Sequence, residues 1–145
     1  MYRDIKPWVD TKIENAGLRV NVLMWRCWAL VRLGKLEAAE GSLRVAAPIF
    51  VRAFGPAIWV FCLIAALLAT PGRLVEAAKT IAYIDRRLLE PDSEHLTPAQ
   101  LRRYKETRAI VEMDFDAEAL DRLRSEASLL SAEEVIAMAF PALIW

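Results

Sequence analysis

The sequence is poor in the residue types that carry most site chemistry: one histidine, His95, two cysteines, Cys27 and Cys62, and five glycines among 145 residues. His95 stands in a polar stretch beside Asp92 and Glu94, a setting that reads as a solvated loop rather than a ligand set. The cysteines lie inside apolar stretches with neither CxxC nor Cys/His spacing, so they read as small buried hydrophobes of a reducing compartment, without zinc or a disulfide framework. Phosphate-cradling, dinucleotide, zincin and nucleophile-elbow motifs are all missing, so no cofactor, metal or catalytic residue is expected. Charge of one sign is not in excess either. Lys plus Arg and Asp plus Glu number 19 each, which removes the overall field that would steer a chain onto nucleic acid. Period-two alternation and Asn-Gly or Asp-Gly hairpins are also lacking, which excludes a sheet-based fold.

What is present is apolar surface. Hydrophobic residues make up 56% of the chain, five are Trp, and the mean hydropathy is +0.24, more than an ordinary soluble monomer needs to hide. The length fits one domain, residues 1–145, with a core large enough to fold. Charges are unevenly placed: net +4 over residues 1–52, +2 over 53–89 and −6 over 90–145. The N-terminal MYRDIKPWVD lacks the pattern of a secretory signal, and a cytoplasmic location is the expectation.

Between Arg52 and Arg73 runs an uncharged segment of twenty residues, AFGPAIWVFCLIAALLATPG. Gly55-Pro56 and Pro71-Gly72 leave only 57–70 as uninterrupted helix, roughly 21 Å at 1.5 Å per residue and short of a bilayer core of about 30 Å. A central buried helix is expected, with membrane insertion or peripheral association as the alternative.

Helix punctuation divides the rest. Thr11 with Glu14 forms a capping box for a first helix, with Ala16-Gly17 as a point of interruption before an apolar segment, 18–33, that Gly34 ends. A second helix runs over 36–47, where Pro48 forces a kink or stop. The third spans 57–70 and the fourth 73–89. Thr97-Pro98-Ala99-Gln100 caps a fifth helix to Met113, a sixth spans 116–129, and Ser131 with Glu134 caps a seventh that Pro141 bends or ends.

A shift of 38 residues superimposes Leu23 on Phe61, Cys27 on Ala65, Leu30 on Leu68, Gly34 on Gly72, Leu36 on Leu74, Ala39 on Ala77 and Leu43 on Ile81. LMWRCWALVRLGKLEAAEGSL and VFCLIAALLATPGRLVEAAKTI thus share a small residue seven before a turn glycine, Leu two after it and Ala five after it. This pattern resembles the tetratricopeptide repeat. A looser third unit, around Tyr104, Ile110 and DFDAEALDRL, has Asp114 where the turn glycine would stand. The resemblance implies an all-α fold of antiparallel hairpins, about 18–50, 57–89 and 97–129, stacked as a short right-handed solenoid with a capping helix at 131–145.

The resemblance also implies a groove lined by the first helix of each hairpin. Its positions fall on Asn21, Met24, Trp28 and Val31, then Trp59, Cys62, Ala66 and Ala69, then Leu101, Tyr104, Arg108 and Val111. Met24, Trp28, Trp59, Tyr104 and Arg108 are the candidate partner-binding residues. The basic-aromatic stretch holding Arg102, Arg103, Tyr104 and Arg108 is broken by Glu106 and Glu112 and reads as an ion-paired helix side, not a nucleic-acid face. The expected function is therefore a non-catalytic adaptor or chaperone-like module, possible in a larger complex or secretion system, that holds a helical or hydrophobic segment of another protein. The alternative is a membrane-associated structural subunit of a membrane complex using residues 53–72 and the apolar C-terminus; self-association as an oligomer is a separate expectation.

Overall fold

The structure, a computed structural model, describes residues 12–141, with side chains from Leu18 onward. Among the described residues there are seven helices and no strand, as the composition predicts. The chain divides into two compact units, Met1–Gly55 and Pro56–Trp145.

Unit 1 is a helical hairpin of α1 (Lys12–Arg32) and α2 (Leu36–Phe54). Helix α1 passes through Ala16-Gly17 without a break, whereas an interruption is expected from sequence; a mid-helix glycine costs only about 1 kcal/mol, which packing readily offsets. Thr11, the expected cap, lies outside the described residues. Gly34, at φ +74°, closes the helix: the Lys35 amide donates to the Leu30 carbonyl and the Gly34 amide to that of Val31, the paired bonds of a Schellman turn. Val20, Met24, Cys27 and Val31 form the buried face of α1, and Ala39, Leu43, Ala46, Ala47, Phe50 and Val51 that of α2.

Helix α2 does not stop at Pro48. It continues to Phe54 and ends at Gly55, φ +87°. The proline deletes one ladder bond, but Phe50 and Val51 beyond it are buried, and their burial, roughly 1.5–3 kcal/mol each, matches the cost of about 3 kcal/mol for an interior proline.

Unit 2 is built around α3 (Ile58–Leu68) and α4 (Leu74–Leu88). Helix α3 is shorter than the predicted 57–70, and every residue in it except the half-buried Trp59 is buried. Three helices enclose it: α4, α5 (Pro98–Asp114) and α7 (Ala132–Ala139). Helix α4 touches those helices and also α6 (Ala117–Ala127), so it is the hub of the unit. The α3–α4 connection places Gly72, φ +90°, third in a Thr70–Arg73 turn with Pro71 second, the residue choice of a type II turn. Of the three capping boxes read from sequence, those at Thr97 with Gln100 and at Ser131 with Glu134 are present, the one at Thr11 lies outside the described residues, and Asp116 caps α6 through the Ala119 amide.

Helices α5 and α6 each lie closer to α4 than to one another. Arg86 of α4 donates to the carbonyls of Ser128 and Leu130 in the α6–α7 connection, Lys79 pairs with Glu126 at 3.3 Å, and Arg73 donates to the Ala139 carbonyl at 3.2 Å. These bonds fold the C-terminal helices back over the α3–α4 pair. No helix among the described residues is long and apolar enough to cross a membrane, and the middle of the uncharged segment, Ile58–Leu68, is buried in the core of unit 2.

Candidate partner-binding surfaces

The candidate residues fall into different environments. In unit 1, Met24 is fully buried, so it fills the hairpin interior and offers no surface to a partner; Trp28 is half-buried. In unit 2, Trp59 is half-buried, and Tyr104 and Arg108 meet one turn apart on α5.

Tyr104 and Arg108 serve a polar clamp between α4 and α5. The Tyr104 hydroxyl donates to the Asp85 carboxylate of α4. Arg108 donates to the Tyr104 hydroxyl at 2.8 Å and to Asp85 at 3.3 Å, and its Nε reaches Glu112 at 2.9 Å. Burial, reinforced by the hydrogen bond to Asp85, holds the Tyr104 phenol well above its ordinary value. The Glu112 hydrogen bond holds the Arg108 guanidinium firmly charged. Beneath the clamp, Ala78, Ile81, Val111, Leu120 and Leu123 close around a space of only about 10 Å³, on the scale of a single water.

Both thiols are inert. Desolvation pushes Cys27 up to about 11 and Cys62 up to about 12, the latter aided by the negative charge of Glu94, so neither is a thiolate nucleophile near neutral pH. Among the described residues no three His, Cys, Asp or Glu side chains converge, and His95 is exposed.

Among the described residues, two of the apolar surfaces open to solvent bear on binding. The first is a cleft of about 390 Å³ in unit 2, lined by Ala69, Thr70, Pro71 and Leu74 of the α3–α4 turn and by Ile110, Met113 and Asp114 at the end of α5. Met113 is 89% and Ile110 47% exposed. The second runs along α1, where Leu18, Val22, Trp25 and Ala29 follow at intervals of four, three and four, one helix face, with Val22 63% and Trp25 66% exposed.

No family model, curated protein or solved structure matches this chain.

Function is therefore read from these surfaces. Of the groove positions implied by the resemblance, Ala69 lines the cleft, while Met24, Val31, Cys62, Ala66, Tyr104 and Val111 are buried. Sequence reasoning missed Ile110 and Met113 as surface features, although both fall within the predicted fifth helix. It also missed the exposed α1 face. That helix is apolar on two opposite sides, and periodicity alone does not say which side packs inward.

Proposed function

We propose that the chain is a non-catalytic interaction module that holds an amphipathic helix, or a hydrophobic segment, of a partner protein in the cleft of unit 2. The observation that carries this reading is the exposure of Met113 and Ile110 across from Leu74 and Pro71, an apolar trough open to solvent with Asp114 at its edge. An amphipathic helix fits such a trough by laying two or three apolar side chains into it. Methionine suits the task because its unbranched, polarizable side chain adapts to differing partners.

The repeat reading belongs to the same proposal. Its support is that Gly34 and Gly72 both take positive φ, that Ala39 and Ala77 are both fully buried, and that Leu43 and Ile81 both sit in cores. Adaptor or chaperone-like action within a larger assembly is the role such a module would serve.

The test is fluorescence anisotropy with a labelled amphipathic helical peptide of Leu and Arg, titrated with the full chain and with Met113→Glu. Saturable binding that the substitution weakens about tenfold, with an unchanged melting temperature, supports the reading. Absence of binding, or binding indifferent to the substitution, contradicts it.

A further inference from the structure

We infer that the cleft of unit 2 accepts helix α1 of a second copy of this chain, so that copies associate head to tail. This rests on the reading of the cleft as a helix-binding site and names its occupant.

Three observations on different parts of the molecule fit one contact. The exposed face of α1, formed by Leu18, Val22, Trp25 and Ala29, extends roughly 16 Å, an apolar ridge of the kind an open trough takes. The ridge is basic: Arg19, Arg26 and Arg32 are exposed along the same helix, and no acidic residue occurs between Leu18 and Lys35. The cleft has the opposite sign at its rim. Asp114 lines it, and Asp116 and Glu118 are exposed just beyond at the start of α6.

Apolar ridge meets apolar trough, and arginines meet carboxylates, when one copy presents α1 and the next presents the cleft. The contact uses two different surfaces, so it is heterologous, and it extends to further copies or closes into a ring. A single helix face against a shallow cleft is a small interface, which places the association in the weak, reversible class. Opposite charges at its edges make it sensitive to salt. A bilayer would use the α1 ridge and leave the acidic cleft unused; a second copy uses both.

Sedimentation velocity of the full chain, from low micromolar to near-millimolar concentration, tests this. The weight-average mass should rise above 16.4 kDa with concentration and fall back as salt is added. Trp25→Glu and Met113→Glu should each raise the concentration needed for association about tenfold or more. Mixed together, these two variants should form a 1:1 complex and nothing larger, because the first retains a sound cleft and the second a sound α1. Circular dichroism should show both folded. Charge reversal adds a second arm: Arg26→Glu and Asp114→Arg each weaken association, and the double variant regains part of it.

A chain that stays at 16.4 kDa throughout overturns the inference, as does a mixture of the two variants that fails to pair. Binding to anionic phosphatidylserine vesicles through Trp25, without self-association, would assign the ridge to lipid and also overturn it. If the chain is monomeric yet Met113→Glu abolishes capture of the Leu and Arg peptide, the binding function stands while this occupant falls. If Met113→Glu affects neither, both fall together.

Discussion

Glu94, in the connection between α4 and α5, accepts a hydrogen bond from the backbone amide of Ile58 and so caps a helix 36 residues earlier in the chain. Helix α3 has no side-chain cap of its own, since Ala57 precedes it, and its apolar sequence has no acidic residue in its first turn. A distant carboxylate supplies both the acceptor and the negative charge that a helix N-terminus favours. Glu94→Ala should therefore destabilise the fold by about 1 kcal/mol, and Glu94→Gln by less, because the amide oxygen still accepts the bond. Urea unfolding checks this. Identical midpoints for all three proteins would contradict it.

Tyr104 and Asp85 give a second prediction. Removing the hydroxyl in Tyr104→Phe leaves Asp85 with Arg108 alone and strips Arg108 of one acceptor, a loss of about 1–2 kcal/mol. Binding of the Leu and Arg peptide should be unaffected, because neither residue lines the cleft. A large change in affinity with little change in stability would return Tyr104 and Arg108 to the role that the repeat resemblance implies for them.

Alkaline pH should destabilise the protein through its buried thiols and phenol. Cys27 and Cys62 are raised from 9.0 to about 11 and about 12, and Tyr104 is raised above 10.0. The folded state therefore holds these protons more tightly than the unfolded chain. The stability they contribute is complete below the unfolded values and is lost as pH rises through the folded ones. The urea midpoint should fall between pH 9 and 12, and Cys62→Ala should make that fall shallower. A midpoint constant over this range would contradict the burial of these groups.

Glycine substitutions should differ in sign. Gly34 and Gly72 have positive φ and open space where a Cβ would stand, so alanine there costs only backbone strain, about 1–2 kcal/mol, and D-alanine should cost nothing. Gly41 lies inside α2 at ordinary helical φ with equal room, so Gly41→Ala should stabilise by about 0.5–1 kcal/mol. Thermal melts of the three L-alanine variants and the two D-alanine variants separate the two cases.

Local features of this chain are legible in its sequence, and long-range ones are not. The capping boxes at Thr97 and Ser131, the turn glycines at 34 and 72 and the burial of the uncharged segment follow from rules that act over a few residues, and the sequence states them plainly. Pro48 misled because the rule that an interior proline ends a helix is a local free energy, and the burial of Phe50 and Val51 is a tertiary one of similar size. The cleft was illegible for a related reason. Ile110 and Met113 sit on a helix with almost no net amphipathic bias, so only the placement of the α3–α4 turn reveals them as a surface. The Glu94 cap spans too great a separation for any periodicity to record.

Reception of a partner's helix in the cleft of unit 2 is tested most directly by backbone amide spectra recorded while the Leu and Arg peptide is titrated into the full chain. Saturable shift changes should be concentrated at residues 69–74 and 110–114 and be abolished in Met113→Glu. Changes centred elsewhere, or no change at saturating peptide, would contradict it.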